Sequence, residues 1–169
     1  MHANDLGPIS NKLLNALPQS DFQLLHPRLT TIHLAQGTVL YEAGNEVDEV
    51  YFPLSGMISL LVVMRDGKAI ETATVGRQGV VGAMSLDPHT SKLRAIAQLP
   101  MHANRLLASQ LRTAAVSSKP IVELCFDTMR CCSIMRELLP LAMLSITSRL
   151  GFADGFYRHL TVQRATPFF

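Results

Sequence analysis

The stretch that decides the fold runs from Gly37 to Leu61 and reads GTVLYEAGNEVDEVYFPLSGMISLL. Three glycines and one proline divide it into short apolar runs of nearly even length, namely TVLYE, EVYFPL and MISLL. Turn-forming residues at this interval are typical of short strands joined by tight turns rather than of helices. The stretch therefore predicts part of an antiparallel sheet.

The same pattern continues on both sides of this stretch, from Thr31 to Leu107. Within it, Asp66-Gly67 in MRDGKAI separates two alternating runs. Asp-Gly at such a position is a strong hairpin signal, because the turn requires a positive φ that glycine supplies. Residues 31–107 are therefore predicted to form an antiparallel roll or barrel.

Helical patterns flank the predicted strands. The leucine-rich run SNKLLNALPQSDFQLLHPRL is interrupted by Pro18 and Pro27, and Ser10 and Ser20 are candidate caps of two short helices that would lay leucines on the sheet. After Leu107, ASQLRTAAVSSKPIVELCF returns to helical spacing. The predicted fold class is mainly β with flanking helices (α+β).

Composition and charge bound the class of protein. With 169 residues and 48% hydrophobic content, the chain suits one domain with a proper core. A formal charge of +2 without a basic run gives no indication that the protein binds nucleic acid or a membrane surface. No apolar stretch is long enough to span a bilayer, and the start MHANDLGPIS lacks the layout of a secretory signal. A cytoplasmic protein with no membrane partner is expected.

The cysteines are Cys125, Cys131 and Cys132, an odd and clustered set that fits reduced thiols better than a disulfide framework. Cys131 and Cys132 are adjacent, and no CxxC or nearby histidine completes a tetrahedral set. No metal site is expected from these residues.

Three segments together resemble the sensor domain of Crp/Fnr-type bacterial transcription regulators, which is a cyclic-nucleotide-binding β-roll. They are the opening stretch, DGKAIETATVGRQGVVGAMSL and RAIAQLP, and the order of their glycines carries the resemblance. It covers the chain from about Asn11 to Phe126. It implies a double-stranded antiparallel jelly roll with N-terminal helices and a C-terminal helix, forming a sensor domain over residues 1–126.

In the cyclic-nucleotide-binding members of this family, a short helix start after a glycine holds the phosphate, a Glu binds the ribose hydroxyl and an Arg meets the phosphate charge. The corresponding stretch here is VVGAMSLDPHTSKLRAIAQ. Gly82 fits, but Ala83 stands where the Glu would be, and Arg94 or Lys92 would supply positive charge. The candidate pocket residues are Gly82, Ala83, Met84, Ser85, Arg94 and Ala95.

These residues also have plainer interpretations. Arg94 also fits a solvated strand residue better than a phosphate ligand, because charged side chains usually face water, and Ala83 and Met84 fit core residues of a strand-to-helix junction. Because an alanine methyl cannot accept a hydrogen bond, cyclic AMP binding in the usual manner is not expected. The sequence predicts a small-molecule effector without identifying it, and it predicts no cofactor.

Two features of the sequence bear on an enzymatic function. His33, His89 and His102 leave open a cupin-like metalloenzyme, but no HxH pair with a following Glu is present. The segment PLSGM around Ser55 lacks the first glycine of a GxSxG nucleophile elbow. The chain also has no cysteine before Cys125, so the iron–sulfur cluster of the family's oxygen-sensing branch is not expected. The sequence predicts no catalytic residue and a protein that is not an enzyme.

The tail at residues 127–169 resembles no part of the family, whose regulators continue into a long dimerising helix and a winged helix-turn-helix. With permitted choices of the third codon base, codons shifted by one frame across Leu141 to His159 can encode a peptide similar to the family's linker. Met143 followed by a CTN leucine codon, for example, then gives Ala. We therefore expect a frame-shifted remnant of the dimerisation helix and linker, with a genuine divergent tail as the alternative.

The sequence thus predicts the sensor domain of a Crp/Fnr-family transcription regulator that lacks its DNA-binding domain in this chain. It predicts no DNA binding and a weakened homodimer through the helix after the roll. The first alternative is a stand-alone small-molecule binding module that acts through a partner, and the second is the cupin-like metalloenzyme.

Overall fold

The computed structural model describes residues 11–83 and 90–130, with side chains up to residue 125. The elements occur in the order α1 (Lys12–Ala16), α2 (Gln19–Leu25), a single 3-10 turn (His26–Arg28), β1 (Thr30–Leu34), β2 (Val39–Tyr41), β3 (Glu49–Pro53), β4 (Ile58–Val63), β5 (Ala69–Val75), β6 (Arg94–Ala97), β7 (Met101–Leu107), α3 (Ala108–Ser117) and α4 (Lys119–Arg130).

The strands form two antiparallel sheets. One sheet has three strands in the order β1-β7-β3, and the other has four in the order β2-β6-β4-β5. The described strands do not join into one closed sheet, so the fold is a roll and not a barrel. The predicted mainly β fold with flanking helices is confirmed.

The predicted hairpin joins β4 to β5. Gly67 has a φ of +83°, its N–H donates to the carbonyl of Met64 at 3.0 Å, and the N–H of Met64 donates to the carbonyl of Lys68 at 2.8 Å. The Asp66 carboxylate accepts the Lys68 N–H at 3.1 Å. Backbone and side chain therefore both close the turn that Asp66-Gly67 predicted.

Two buried clusters lie on opposite faces of the three-stranded sheet. We call the cluster under the helices the helix-side core; its large members include Leu14, Leu25, Phe52, Leu106 and Leu111. We call the cluster between the two sheets the roll core; its members include Leu34, Tyr51, Ile58, Leu60 and Met101. Because side chains alternate along a strand, β3 and β7 each contribute to both clusters.

The N-terminal helices form as predicted, but their caps differ. Asn11 caps α1 through its side-chain oxygen, which accepts the N–H groups of Leu13 and Leu14 at 3.1 and 3.2 Å. Ser20 lies inside α2, where Pro18 holds the cap position, so the prediction for Ser20 is wrong. Proline suits this position because a helix start leaves N–H groups unpaired anyway. Ser10 lies outside the described residues.

The helix α4 runs through residue 126, where the sensor domain was expected to end. Residues 131–169 lie outside the described part of the chain, so the frame-shift hypothesis for the tail stays a prediction. Among the helices that the structure describes, none is both long and apolar enough to cross a membrane.

Candidate ligand-binding site

The segment around Gly82 lies along the free edge of β3. Val81 and Tyr51 exchange two backbone hydrogen bonds, of 2.8 and 2.9 Å. Gly82 has a φ of +88°, and a Cβ atom at this position would lie 2.4 Å from the carbonyl oxygen of Glu49. Glycine is therefore required here both by the backbone conformation and by the close approach to β3.

Ala83 follows this turn, and only 4% of its surface is exposed. It belongs to the helix-side core together with Val80, Leu106 and Leu111, so its methyl group packs among apolar side chains. The structure thus places Ala83 as a core residue, which was the plainer of its two interpretations. Met84 and Ser85, also predicted pocket residues, lie outside the described residues.

Arg94 begins β6 and is held by a carboxylate of its own chain. Its Nε donates to Oε2 of Glu42, just after β2, at 2.6 Å, and the side chain is 35% exposed. The hydrogen bond and the charge of Glu42 raise the pKa of Arg94. The guanidinium charge is therefore already neutralised within the chain.

Ala95, the last predicted pocket residue, is fully buried in the roll core. It lies opposite Tyr41 on one neighbouring strand and Leu60 on the other. Because consecutive strand residues face opposite sides of a sheet, Arg94 lies on the face turned away from the roll core. The structure thus gives Ala95 and Arg94 different surroundings.

The segment that leads into β6 is bound to the loop that follows β2. Glu46 pairs with Thr90, the Gly44 N–H donates to the Ser91 carbonyl at 2.7 Å, and the Ser91 N–H donates to the Asn45 carbonyl at 2.8 Å. These contacts hold Glu42 and Arg94 on adjoining strands. Gly82 and Ala83, by contrast, are attached to β3, so the predicted site residues are held by two different sheets.

Sequence reasoning missed a polar cluster at the roll core, formed by Glu49, Tyr51 and Arg105. The hydroxyl of Tyr51 donates to Oε2 of Glu49, and Nη1 of Arg105 lies 3.1 Å from Oε1 of the same carboxylate. Burial, followed by the hydrogen bond to Glu49, raises the pKa of Tyr51. The cluster lies beside the Gly82 segment, because Gly82 packs on the backbone of Glu49.

A weak signal for this cluster exists in the sequence. Glu49 and Tyr51 are two residues apart in a strand and therefore share a face, and Arg105 is the only cation in the strand MHANRLL. The register that places Arg105 opposite Tyr51 joins distant segments and is not readable from either one.

Cys125 is buried in the helix-side core, and burial raises the pKa of its thiol to about 12. A protonated thiol is neither a nucleophile nor a metal ligand. Within residues 11–83 and 90–125, no three His, Cys, Asp or Glu side chains are grouped to hold a metal ion.

The fold agrees with comparisons to known proteins. Residues 31–115, half of the chain, match the family model of the cyclic nucleotide-binding domain. The chain therefore belongs to the cyclic nucleotide-binding domain family. The sequence-based recognition of a cyclic-nucleotide-binding sensor roll is confirmed. No curated protein matches the sequence.

Solved structures share the fold at low identity. The N-terminal domain of a transcriptional regulator from Streptomyces coelicolor A3(2) matches with a TM-score of 0.57 and 21% identity, over 78% of this chain and 92% of that one. The sensor domain of the transcriptional regulator DNR from Pseudomonas aeruginosa matches with a TM-score of 0.57 and 14% identity, over 84% and 87%. The regulatory subunit of a cAMP-independent protein kinase A from Trypanosoma cruzi, bound to guanosine, matches with a TM-score of 0.63 and 15% identity, over 78% and 47%.

Proposed function

We propose that this chain is the effector-binding sensor domain of a cytoplasmic Crp/Fnr-type transcription regulator, with a regulatory and not a catalytic role. The observation that carries the proposal is the family match, which spans both sheets and the Gly82 segment. Two structural neighbours are themselves domains of transcriptional regulators, and both are covered over most of their length.

We further propose that the effector is not cyclic AMP held in the family's usual manner. The resemblance to the family assigns the position of the ribose-binding carboxylate to Ala83, which is buried, and the guanidinium of Arg94 is engaged by Glu42. A ligand without a phosphate does not need the arginine. A structural neighbour from Trypanosoma cruzi was solved bound to guanosine, a nucleoside without phosphate, which makes nucleosides the first class to test.

Isothermal titration calorimetry on the full chain tests this proposal with cyclic AMP, cyclic GMP, guanosine and adenosine. Loss of one charge-assisted hydrogen bond costs on the order of 1.5–3 kcal/mol, about ten- to a hundredfold in affinity. We expect cyclic nucleotides to bind at least that much more weakly than a typical micromolar ligand. Micromolar binding of cyclic AMP at one molecule per chain would overturn the proposal.

The variant Glu42→Gln isolates the role of the ion pair. It removes the negative charge beside Arg94 but preserves the size of the side chain. If the ion pair is what prevents Arg94 from meeting a phosphate, this variant gains affinity for cyclic AMP while its affinity for guanosine is unchanged. An identical gain for both ligands would show that the substitution acts through general structure.

The alternative to a transcription regulator is a stand-alone small-molecule binding module that acts through a partner. We propose that this chain does not bind DNA sequence-specifically, because the tail offers no recognition-helix pattern. We also propose that its dimer is weak, because the tail has Pro140, Gly151 and Gly155 where the family has its long dimerising helix. A gel-shift experiment with a competing promoter fragment and light scattering test the two parts separately. A promoter fragment that outcompetes bulk DNA at physiological salt would contradict the absence of sequence-specific DNA binding. A dimer that persists at all protein concentrations would contradict the absence of a tight dimer.

A further inference from the structure

Two histidines from different strands lie side by side on the three-stranded sheet. His33 of β1 and His102 of β7 are direct partners in the strand register. Their ring centroids are 5.1 Å apart, with ring planes at 66°, and both side chains are exposed. Their neighbours Leu34 and Met101 belong to the roll core, so the histidines lie on the opposite face of the sheet.

The separation of the two rings matches that of two imidazoles bound to one metal ion. A zinc–imidazole bond is about 2.0–2.1 Å long, and the ring centre lies roughly 1.2 Å beyond the nitrogen, so metal and centroid are about 3.2 Å apart. Two such rings at a tetrahedral angle have centroids about 5.2 Å apart. The observed distance of 5.1 Å therefore requires rotation of the exposed rings and no movement of the strands.

The backbone around His102 is fixed on both sides. On one side β7 pairs with β1, and on the other the N–H of Leu54 donates to the His102 carbonyl at 2.8 Å. The N–H of His102 donates to Oγ of Ser55 at 3.0 Å. The next pair on the same face of these strands, two residues from the histidines, is also joined, because the hydroxyl of Thr31 donates to Oδ1 of Asn104 at 2.8 Å. The backbone atoms that carry the two imidazoles are thus held in register before any ion arrives, which lowers the ordering cost of binding.

We propose that His33 and His102 form a binding site for a divalent transition metal of the kind that prefers imidazole, such as Ni²⁺, Cu²⁺ or Zn²⁺. Two protein ligands leave the remaining positions to water, so the ion exchanges with solvent. It joins β1, which follows the N-terminal helices, to β7, which leads into α3. An ion that binds only the folded chain stabilises it in proportion to its occupancy. The site lies on the sheet face opposite the roll core and is independent of the effector proposal.

Calorimetric titration of the full chain with Ni²⁺ tests the proposal. Thiolates are strong ligands for Ni²⁺, so all variants are made in a Cys131→Ser, Cys132→Ser background, which removes Cys131 and Cys132 as competing ligands. We expect one ion per chain. We also expect His33→Gln and His102→Gln each to weaken Ni²⁺ binding by at least about 10- to 100-fold, because mutation of residues that only hydrogen-bond to metal ligands already lowers metal affinity by that factor. His26→Gln is the matched control, because His26 is exposed and contacts only the ring of Phe22 among the aromatic pairs described.

Unchanged Ni²⁺ affinity in either His33→Gln or His102→Gln would overturn the proposal. So would an absence of any saturable heat. A second measurement uses the unsubstituted chain and does not depend on the folding of variants. Diethyl pyrocarbonate modification, mapped by mass spectrometry, is expected to be suppressed by Ni²⁺ at His33 and His102 but not at His26. Equal modification with and without the ion would refute the site.

Discussion

Replacement of Gly82 by alanine is expected to destabilise the roll much more than the same change at Gly37. Both glycines have positive φ, +88° and +83°, so an alanine at either one pays roughly 1–2 kcal/mol for left-handed backbone. At Gly37 nothing lies within 4 Å of the new Cβ, so this conformational cost is the whole effect. The Gly37→Ala variant is therefore a matched control for the backbone cost alone.

At Gly82 the new methyl group also meets the backbone. Its Cβ would lie 2.4 Å from the Glu49 carbonyl oxygen and 3.3 Å from Cα of Val50, atoms that cannot rotate away. Either β3 or the Gly82 segment must shift, which breaks the two hydrogen bonds between Val81 and Tyr51. At about 0.5–1.5 kcal/mol for each bond, the total cost of Gly82→Ala is roughly 2–5 kcal/mol.

Urea unfolding followed by far-ultraviolet circular dichroism measures this difference. With a slope of about 1–3 kcal/mol per molar urea, an excess cost of about 2 kcal/mol lowers the midpoint of Gly82→Ala by roughly 1 M below that of Gly37→Ala. Equal midpoints for the two variants would refute the reasoning. They would mean that the segment carrying Gly82 does not rest on β3, and that the site is not built as described.

Three further predictions concern buried groups. Asn11→Ala removes a helix cap and leaves the Pro53 and Gly79 carbonyls, now bound at 3.1 and 2.9 Å, without their donor. Thermal unfolding should show that the free energy of unfolding falls by roughly 2–4 kcal/mol. A decrease below about 0.5 kcal/mol would contradict the role of these hydrogen bonds in stability. Because the pKa of Tyr51 is raised, its contribution to stability is present below about pH 10 and is lost as the pH rises further. Ultraviolet absorbance should therefore show that its phenol ionises only as the chain unfolds. A normal titration of all three tyrosines in the folded chain would disprove this. With a thiol pKa of about 12, Cys125 should resist maleimide at about pH 8 until denaturant is added, and peptide mapping that finds it labelled in the native chain would contradict its burial.

The strands and the hairpin were predictable because their signals are local. Turn residues at even spacing, and Asp66-Gly67 between alternating runs, describe conformations that need no distant partner. The cap of α1 was missed for a related reason. Ser10 and Asn11 are both good cap residues by type, and what favours Asn11 is that its amide also reaches Pro53 and Gly79, far along the chain.

The side-chain clusters were not predictable because strand register creates them. His33 and His102 appear scattered in the sequence, and only the pairing of β1 with β7 places them together. In the same way Glu42 and Arg94 are 52 positions apart, so the sequence suggested a positive charge for a ligand without showing the carboxylate that holds it. Register depends on the packing of whole strands, and no single segment encodes it.

The same register supports the proposal of an uncharged effector. Ala95 and Leu60 line the roll core, whereas Arg94 lies on the other face of the sheet. Gly82 packs on the backbone of Glu49, and the carboxylate of Glu49 is already paired with Arg105 at 3.1 Å. A phosphate that reached Arg105 would meet the carboxylate of Glu49 as well, and like charges repel strongly in a partly buried site. A neutral ligand can instead add hydrogen bonds to an intact pair. We therefore expect this roll to select against anions, because Glu42 and Glu49 are each already paired with an arginine.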